Sequence, residues 1–194
     1  MILSRALILL LSGIEAKPTI NLIMKFTASL FTGLFIFSFA CTGLSAQSSK
    51  KTILLVRHAE KDVSETADKS DPELTVAGRD RAERLVKEMG KYKPGAIYST
   101  NFKRTRTTVE PLAKKRKLTV QFYDARKQNE IVEQILKSKT KRFVVAGHSN
   151  TIPLLANLLI KKELFKPLDE SEYATIWLIK VKDGKVTKVE ILDY

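Results

Sequence analysis

Cysteine is almost absent from this chain, with Cys41 the only one among 194 residues. It lies in an apolar amino-terminal stretch, so the sequence behind that stretch carries no thiol. That excludes a disulfide framework, a cysteine nucleophile and a metal-thiolate site there. Histidine is nearly as scarce: His58 and His148 are the only two. No apolar run quite reaches the roughly 20 residues that a membrane-spanning helix wants. Internal repeats are missing, and nothing marks a second folded domain. Two catalytic patterns are also incomplete. Gly147-His148-Ser149-Asn150-Thr151 has Thr151 where a Gly-x-Ser-x-Gly nucleophile elbow ends in glycine, and His58-Ala59-Glu60 is followed by no cysteine pair, as a zinc deaminase would require. Phe102, Phe122 and Tyr123 are not spaced as a base-stacking platform, which argues against nucleic acid as a partner.

What the chain has in excess is positive charge, a formal +13. Most of its lysines and arginines alternate with acidic residues along predicted helices, as on a solvated surface, but the balance still favours anionic partners. From Met24 the sequence runs through Lys25 and a nearly continuous apolar stretch to Ala40. It then passes Thr42-Gly43-Leu44-Ser45-Ala46, the order of a secretory signal peptide. Residues 1–46 are therefore expected to be a leader cut after Ala46, with Met24 as an alternative start, and residues 47–194 a single domain. Without residues 1–46 the chain keeps 31 basic and 20 acidic residues, a net +11. An uncleaved membrane anchor is one alternative. Lipid attachment at Cys41 is another, although Ser38 and Phe39 make a poor cleavage box. The expected location is exported, periplasmic or extracellular, with membrane contact only through an uncleaved leader or a lipid.

The domain opens on Thr52-Ile53-Leu54-Leu55-Val56-Arg57-His58. This short β-branched and leucine-rich run, ended by two polar side chains, reads as a buried parallel strand that delivers them at its carboxyl end. Phe143-Val144-Val145-Ala146-Gly147-His148 has the same form. Between and after these runs the pattern predicts a helix from the cap Thr75 to a stop at Gly90, and a strand over residues 95–99. Thr100-Asn101 should cap a helix through residue 115, which Pro111 should bend or restart. A strand over 118–123 and a helix over 130–139 follow. Ser149-Asn150-Thr151 should cap a helix that buries Leu154, Leu155, Leu158 and Leu159. Two final strands meet at Asp183-Gly184, a two-residue hairpin signal. The alternation predicts a three-layer α/β/α sandwich with a mainly parallel sheet and an antiparallel edge hairpin.

Open α/β sheets place their ligand crevice at the carboxyl ends of the strands. Four predicted strands end there in candidate residues: Arg57 and His58, Ser99 through Arg104, Asp124, and His148. Paired guanidinium groups match the oxygens of a phosphoryl dianion and stay charged at any working pH. Histidine can serve as a neutral nucleophile near pH 7. Together these residues suggest phosphoryl transfer through nitrogen.

Arg57-His58-Ala59-Glu60 resembles the opening motif of the histidine phosphatase superfamily, the phosphoglycerate mutase-like proteins. Leu74-Thr75-Val76-Ala77-Gly78 resembles its Leu-Thr-x-x-Gly helix start, and residues 99–108 resemble its Ser-Ser-x-x-x-Arg-Ala-x-x-Thr element. Gly147-His148 is similar to its second-histidine motif. The four occur in family order, and the compact chain is similar in size to the small phosphohistidine-phosphatase type of branch 1. The resemblance implies His58 as a nucleophile that forms phosphohistidine. Arg57, Arg104 and His148 would hold the phosphoryl oxygens, with no metal and no cofactor. It leaves the general acid open between Asp124, Glu130 and a leaving group needing none. Asn150 either touches phosphate or caps a helix. The implied activity is hydrolysis of a phosphorylated small molecule or a phosphoprotein. A mutase-type phosphotransferase and a non-catalytic basic anion-binding module are the alternatives.

Overall fold

A computed structural model describes residues 49–194 of the protein. The expected leader, residues 1–46, lies outside the described residues with both of its alternatives. Among the described residues no helix is long and apolar enough to cross a membrane.

The order is β1 (Lys50–Arg57), α1 (Val76–Gly90), β2 (Ala96–Ser99), α2 (Lys103–Arg116), β3 (Val120–Phe122), α3 (Gln128–Lys137), β4 (Arg142–Gly147), α4 (Thr151–Ile160), β5 (Thr175–Lys182) and β6 (Lys185–Asp193). The six strands form one sheet in the order β3-β2-β4-β1-β5-β6. The first four are parallel, and β5 and β6 are antiparallel. This is the three-layer sandwich the alternation predicts.

Strand geometry sends successive side chains to opposite faces, and β1 shows how both faces are used. Ile53 and Leu55 join Phe143, Val145, Trp177 and Ile179 against α3 and α4. Leu54 and Val56 join Val144, Ala146 and Leu178 against α1 and α2. All four β1 side chains are fully buried, each worth roughly 1.5–3 kcal/mol relative to exposure. A strand apolar on both faces can only sit in the middle of such a sheet, and this central position brings the end of β1 beside the end of β4.

The local signals succeed unevenly. Thr75 caps α1 as expected, its hydroxyl accepting from Gly78 N at 3.0 Å. Helix α2 begins later than expected and has Phe102 at its cap position, with no side-chain cap. Forgoing a Ser, Thr, Asp or Asn cap costs about 1 kcal/mol. Pro111 lies inside α2 without ending it. Helix α4 has Asn150 at its cap position, again with no side-chain cap; Thr151 Oγ1 instead accepts from His148 N at 3.0 Å. Leu154 is 51% exposed rather than buried, because α4 turns Ile152, Leu155, Ala156 and Leu159 to the sheet. Strand β3 keeps only three residues of the predicted six. The hairpin turn is as expected, with Asp183 and Gly184 both at positive φ, as a two-residue loop matching the twist of its strands requires. Strand β6, the opposite edge from β3, is largely exposed.

Candidate active site

The parallel pairing of β1 with β4 sets Arg57 opposite Gly147, so the residue after each strand is a histidine at the same sheet edge. His58 N donates to Gly147 O at 2.9 Å, which fixes one histidine to the strand that carries the other. Glycine at 147 gives room to both neighbours: a Cβ there would lie 2.8 Å from the Tyr123 hydroxyl and 2.9 Å from Ile152 Cδ1, and those side chains would have to shift. The two imidazoles meet edge to face with centroids 5.4 Å apart.

His58 is 4% exposed. Its Nδ1 lies 2.8 Å from Ala59 O. A carbonyl can only accept, so Nδ1 carries the proton and the lone pair is on Nε2. Burial drives the His58 pKa down to about 3, and the charges of Arg104 and Arg57 and the neighbouring His148 push the same way against the opposing Ala59 bond. His148 Nε2 shares a hydrogen bond with Thr100 Oγ1 at 3.0 Å. Burial, followed by Arg104, Arg57 and Lys61, lowers its pKa to about 4. Both rings are therefore neutral near pH 7.

These shifts carry a pH dependence. In the unfolded chain each histidine takes up its proton near pH 6.5, whereas the folded protein withholds it until pH falls to about 3 or 4. The unfolded state thus binds more protons below pH 6.5. Stability is expected to fall as pH drops from 6.5 towards 4, by about 1.4 kcal/mol per pH unit for each proton withheld. Urea midpoints measured at pH 7 and pH 4.5 check this, and the double variant His58→Asn, His148→Asn is expected to show a flatter dependence.

Arg104 enters from the first turn of α2. Its guanidinium lies 4.5 Å from the Phe102 ring centroid and 3.7 Å from Asp71, and its Nε is buried without a partner. Thr108, fully buried one turn on, locks this helix to the segment that follows β1. Its hydroxyl accepts from Ala59 N at 2.9 Å and donates to Arg104 O at 2.7 Å.

Arg57 is 1% exposed and is held by a segment that sequence reasoning missed. Its Nη1 donates to the carbonyls of Asp169, Glu170 and Glu172, at 2.6, 3.2 and 3.0 Å. Its Nη2 meets Glu170 Oε2 at 3.0 Å, and Tyr173 covers its face at 4.2 Å. Glu170 also lies 3.5 Å from Lys61 Nζ and from Ser149 Oγ. Burial raises the Glu170 pKa, but Arg57 and Lys61 together outweigh it and hold the carboxyl below its usual range. The acidic run at residues 169–172, in an otherwise basic chain, is the signal that could have exposed this contact. An anion drawn to Arg57 would meet a carboxylate already there. Glu170→Gln is expected to tighten inhibition by inorganic phosphate or vanadate by about three- to tenfold, as an exposed like-charge neighbour is removed; inhibition constants at fixed ionic strength check it.

Asp124 lies at the end of β3, but its carboxylate is ion-paired with Arg126 at 3.0 Å. Hydrogen bonds from Arg126 come first among the causes that keep its pKa low, the opposite of what a proton donor needs. Glu130 pairs with Lys127 at 3.2 Å and is 70% exposed. Asn150 lines a cleft of about 850 Å³ that also reaches Asp124, Arg104 and His148. The geometry thus gathers His58, Arg57, Arg104 and His148, and leaves both carboxyl candidates bonded elsewhere. Among the described residues no group of three or more His, Cys, Asp or Glu side chains is arranged to hold a metal ion.

Residues 53–126 match the sequence model of the histidine phosphatase superfamily, branch 1. No curated protein sequence matches the chain. Solved structures with this fold include a mycobacterial hydrolase, 15% identical over 75% of this chain and 99% of that one, at a TM-score of 0.61. A mycobacterial glucosyl-3-phosphoglycerate phosphatase is 15% identical over 75% and 98%, at 0.58. A protein assigned as the phosphohistidine phosphatase SixA, from Nakamurella multipartitia, is 20% identical over 73% and 95%, at 0.54. Identities this low speak for the fold, whereas the family match takes in Arg57, His58 and Arg104 and ends before His148. Residues 53–126 thus resemble the histidine phosphatase superfamily, branch 1, within a chain that shares the fold of these solved structures.

Proposed function

We propose that the protein is a phosphatase that hydrolyses phosphomonoesters or phosphorylated protein through a phosphohistidine on His58. The observation that carries this reading is the Nδ1 bond to Ala59 O, which leaves Nε2 of a neutral imidazole free to attack. In the first step the Nε2 lone pair forms the N–P bond while the P–O bond to the leaving group breaks, and the leaving oxygen keeps that electron pair and takes a proton from solvent. Arg104, Arg57 and His148 stabilise the charge on the non-bridging oxygens, the positioning and electrostatic work that dominates phosphoryl transfer. Water then attacks phosphorus, the N–P electrons return to Nε2, and inorganic phosphate leaves. Fixed cations on both sides of the phosphoryl group supply the charge stabilisation, so turnover is expected to persist in EDTA. Export, set by the leader expected over residues 1–46, would place this activity outside the cytoplasm.

The test is hydrolysis of p-nitrophenyl phosphate by the full chain in EDTA, with acid-quench trapping of the enzyme during turnover. An acid-labile, alkali-stable phosphoryl group on the protein is the expected result. Phosphate binding with neither turnover nor trapped phosphoryl group would instead leave a non-catalytic anion-binding module.

A further inference from the structure

Of the described Phe, Tyr and Trp side chains, only Phe102 and Phe122 are exposed, at 39% and 56%, and both line the same cleft. That cleft adjoins the phosphoryl site directly, since its wall includes Arg104 and His148. Phe102 stands edge-on to the His148 ring with centroids 5.1 Å apart, where a group leaving phosphorus would pass. It occupies the cap position of α2, a place where a polar residue would have served the helix better. Phe122 is the last residue of β3, opposite Ser99 on β2.

The polar groups around this cleft are largely spent on one another. Asp124 is bonded to Arg126, and Asn101 accepts from Arg106. A sugar or glycerol leaving group would have to break those contacts to satisfy its hydroxyls, whereas a flat apolar ring would not. The geometry points to a phosphomonoester with an aromatic leaving group as the substrate class, its ring held between Phe102 and Phe122. This rests on the phosphohistidine chemistry proposed above.

The experiment compares benzyl phosphate with glycerol 1-phosphate on the full chain. Both release a primary alcohol, so intrinsic reactivity is close and the ring is the main difference. Acetyl phosphate serves as a ring-free donor for trapping the phosphoenzyme. The expected result is a kcat/KM about tenfold higher for benzyl phosphate, the scale of one good aromatic contact, falling to within about twofold in Phe122→Ser. That substitution lies at an exposed strand end, and circular dichroism confirms its fold. Phosphoenzyme formation with no preference for benzyl phosphate, or with a preference that Phe122→Ser leaves intact, overturns the aromatic assignment alone. No phosphoenzyme from acetyl phosphate and no hydrolysis of either ester overturns the phosphatase reading and the aromatic assignment with it.

Discussion

Alanine in place of His58 is expected to lower the turnover of p-nitrophenyl phosphate by about a thousandfold or more and to abolish the trapped phosphoenzyme. The magnitude follows from the proposed role: the side chain would supply the bond-forming lone pair, and nothing else at this sheet edge would substitute for it. His148 is the only other imidazole in the chain, and its Nε2 is already bonded to Thr100. The substitution also empties a buried site, so part of any loss could come from folding. Two controls separate the effects. The variant should keep a cooperative urea transition, and free imidazole, sized for the vacated space, should restore some hydrolysis without restoring a phosphoryl group on the protein. Turnover within tenfold of wild type would end the nucleophile assignment.

The second large effect is on stability and comes from a residue with no side chain. Gly78 lies in the first turn of α1, where a Cβ would be 2.4 Å from Glu60 O and about 3.1 Å from Glu60 N. Those are backbone atoms two residues beyond His58, and they cannot swing aside. Thr75 N also donates to the same Glu60 carbonyl at 2.9 Å, so α1 is docked on this segment at two points. Gly78→Ala must push the helix away from it. A loss of about 3 kcal/mol is expected, a fall of about 10 °C in Tm for a domain of this size, accompanied by reduced activity as the His58 backbone shifts. Thermal melts and kcat on the same preparation check both. An unchanged Tm would mean that the helix approaches less closely than the structure shows.

Gly78 also shows why the family-like motifs were readable while other features were not. In Leu74-Thr75-Val76-Ala77-Gly78 each marked residue has a local duty. Leu74 is buried with Ala59 and Ala82, Thr75 caps the helix, and Gly78 permits the approach. Strands β1 and β4 were equally legible, because an apolar run that ends abruptly in Arg-His or Gly-His leaves little choice of face or length. The two failed caps have a shared cause: Thr100 and Thr151 direct their hydroxyls to His148 rather than to their helices, so site geometry overrode the local signal. Leu154 was misplaced because a leucine-rich helix offers several apolar stripes, and only the sheet decides which one is buried. The Arg57 clamp was hidden for a different reason. Three of its four acceptors are backbone carbonyls more than a hundred positions away, and a carbonyl has no residue identity to read. Asp124 occupies the expected place in sequence, yet Arg126, two residues on, holds its charge.

The sheet is bounded by one strand of three residues and one of nine, and the two edges discourage further pairing in different ways. Strand β3 is too short to offer more than a few free N–H and C=O groups as a template. Strand β6 is long enough, but it carries Lys185, Lys188 and Glu190, and its register with β5 is broken between Lys180 and Val181. Charged side chains and a local irregularity are the devices that keep an exposed strand from recruiting a strand of another molecule. Within the described residues the sheet stays open at both edges, but each edge is a poor template for an extended polypeptide.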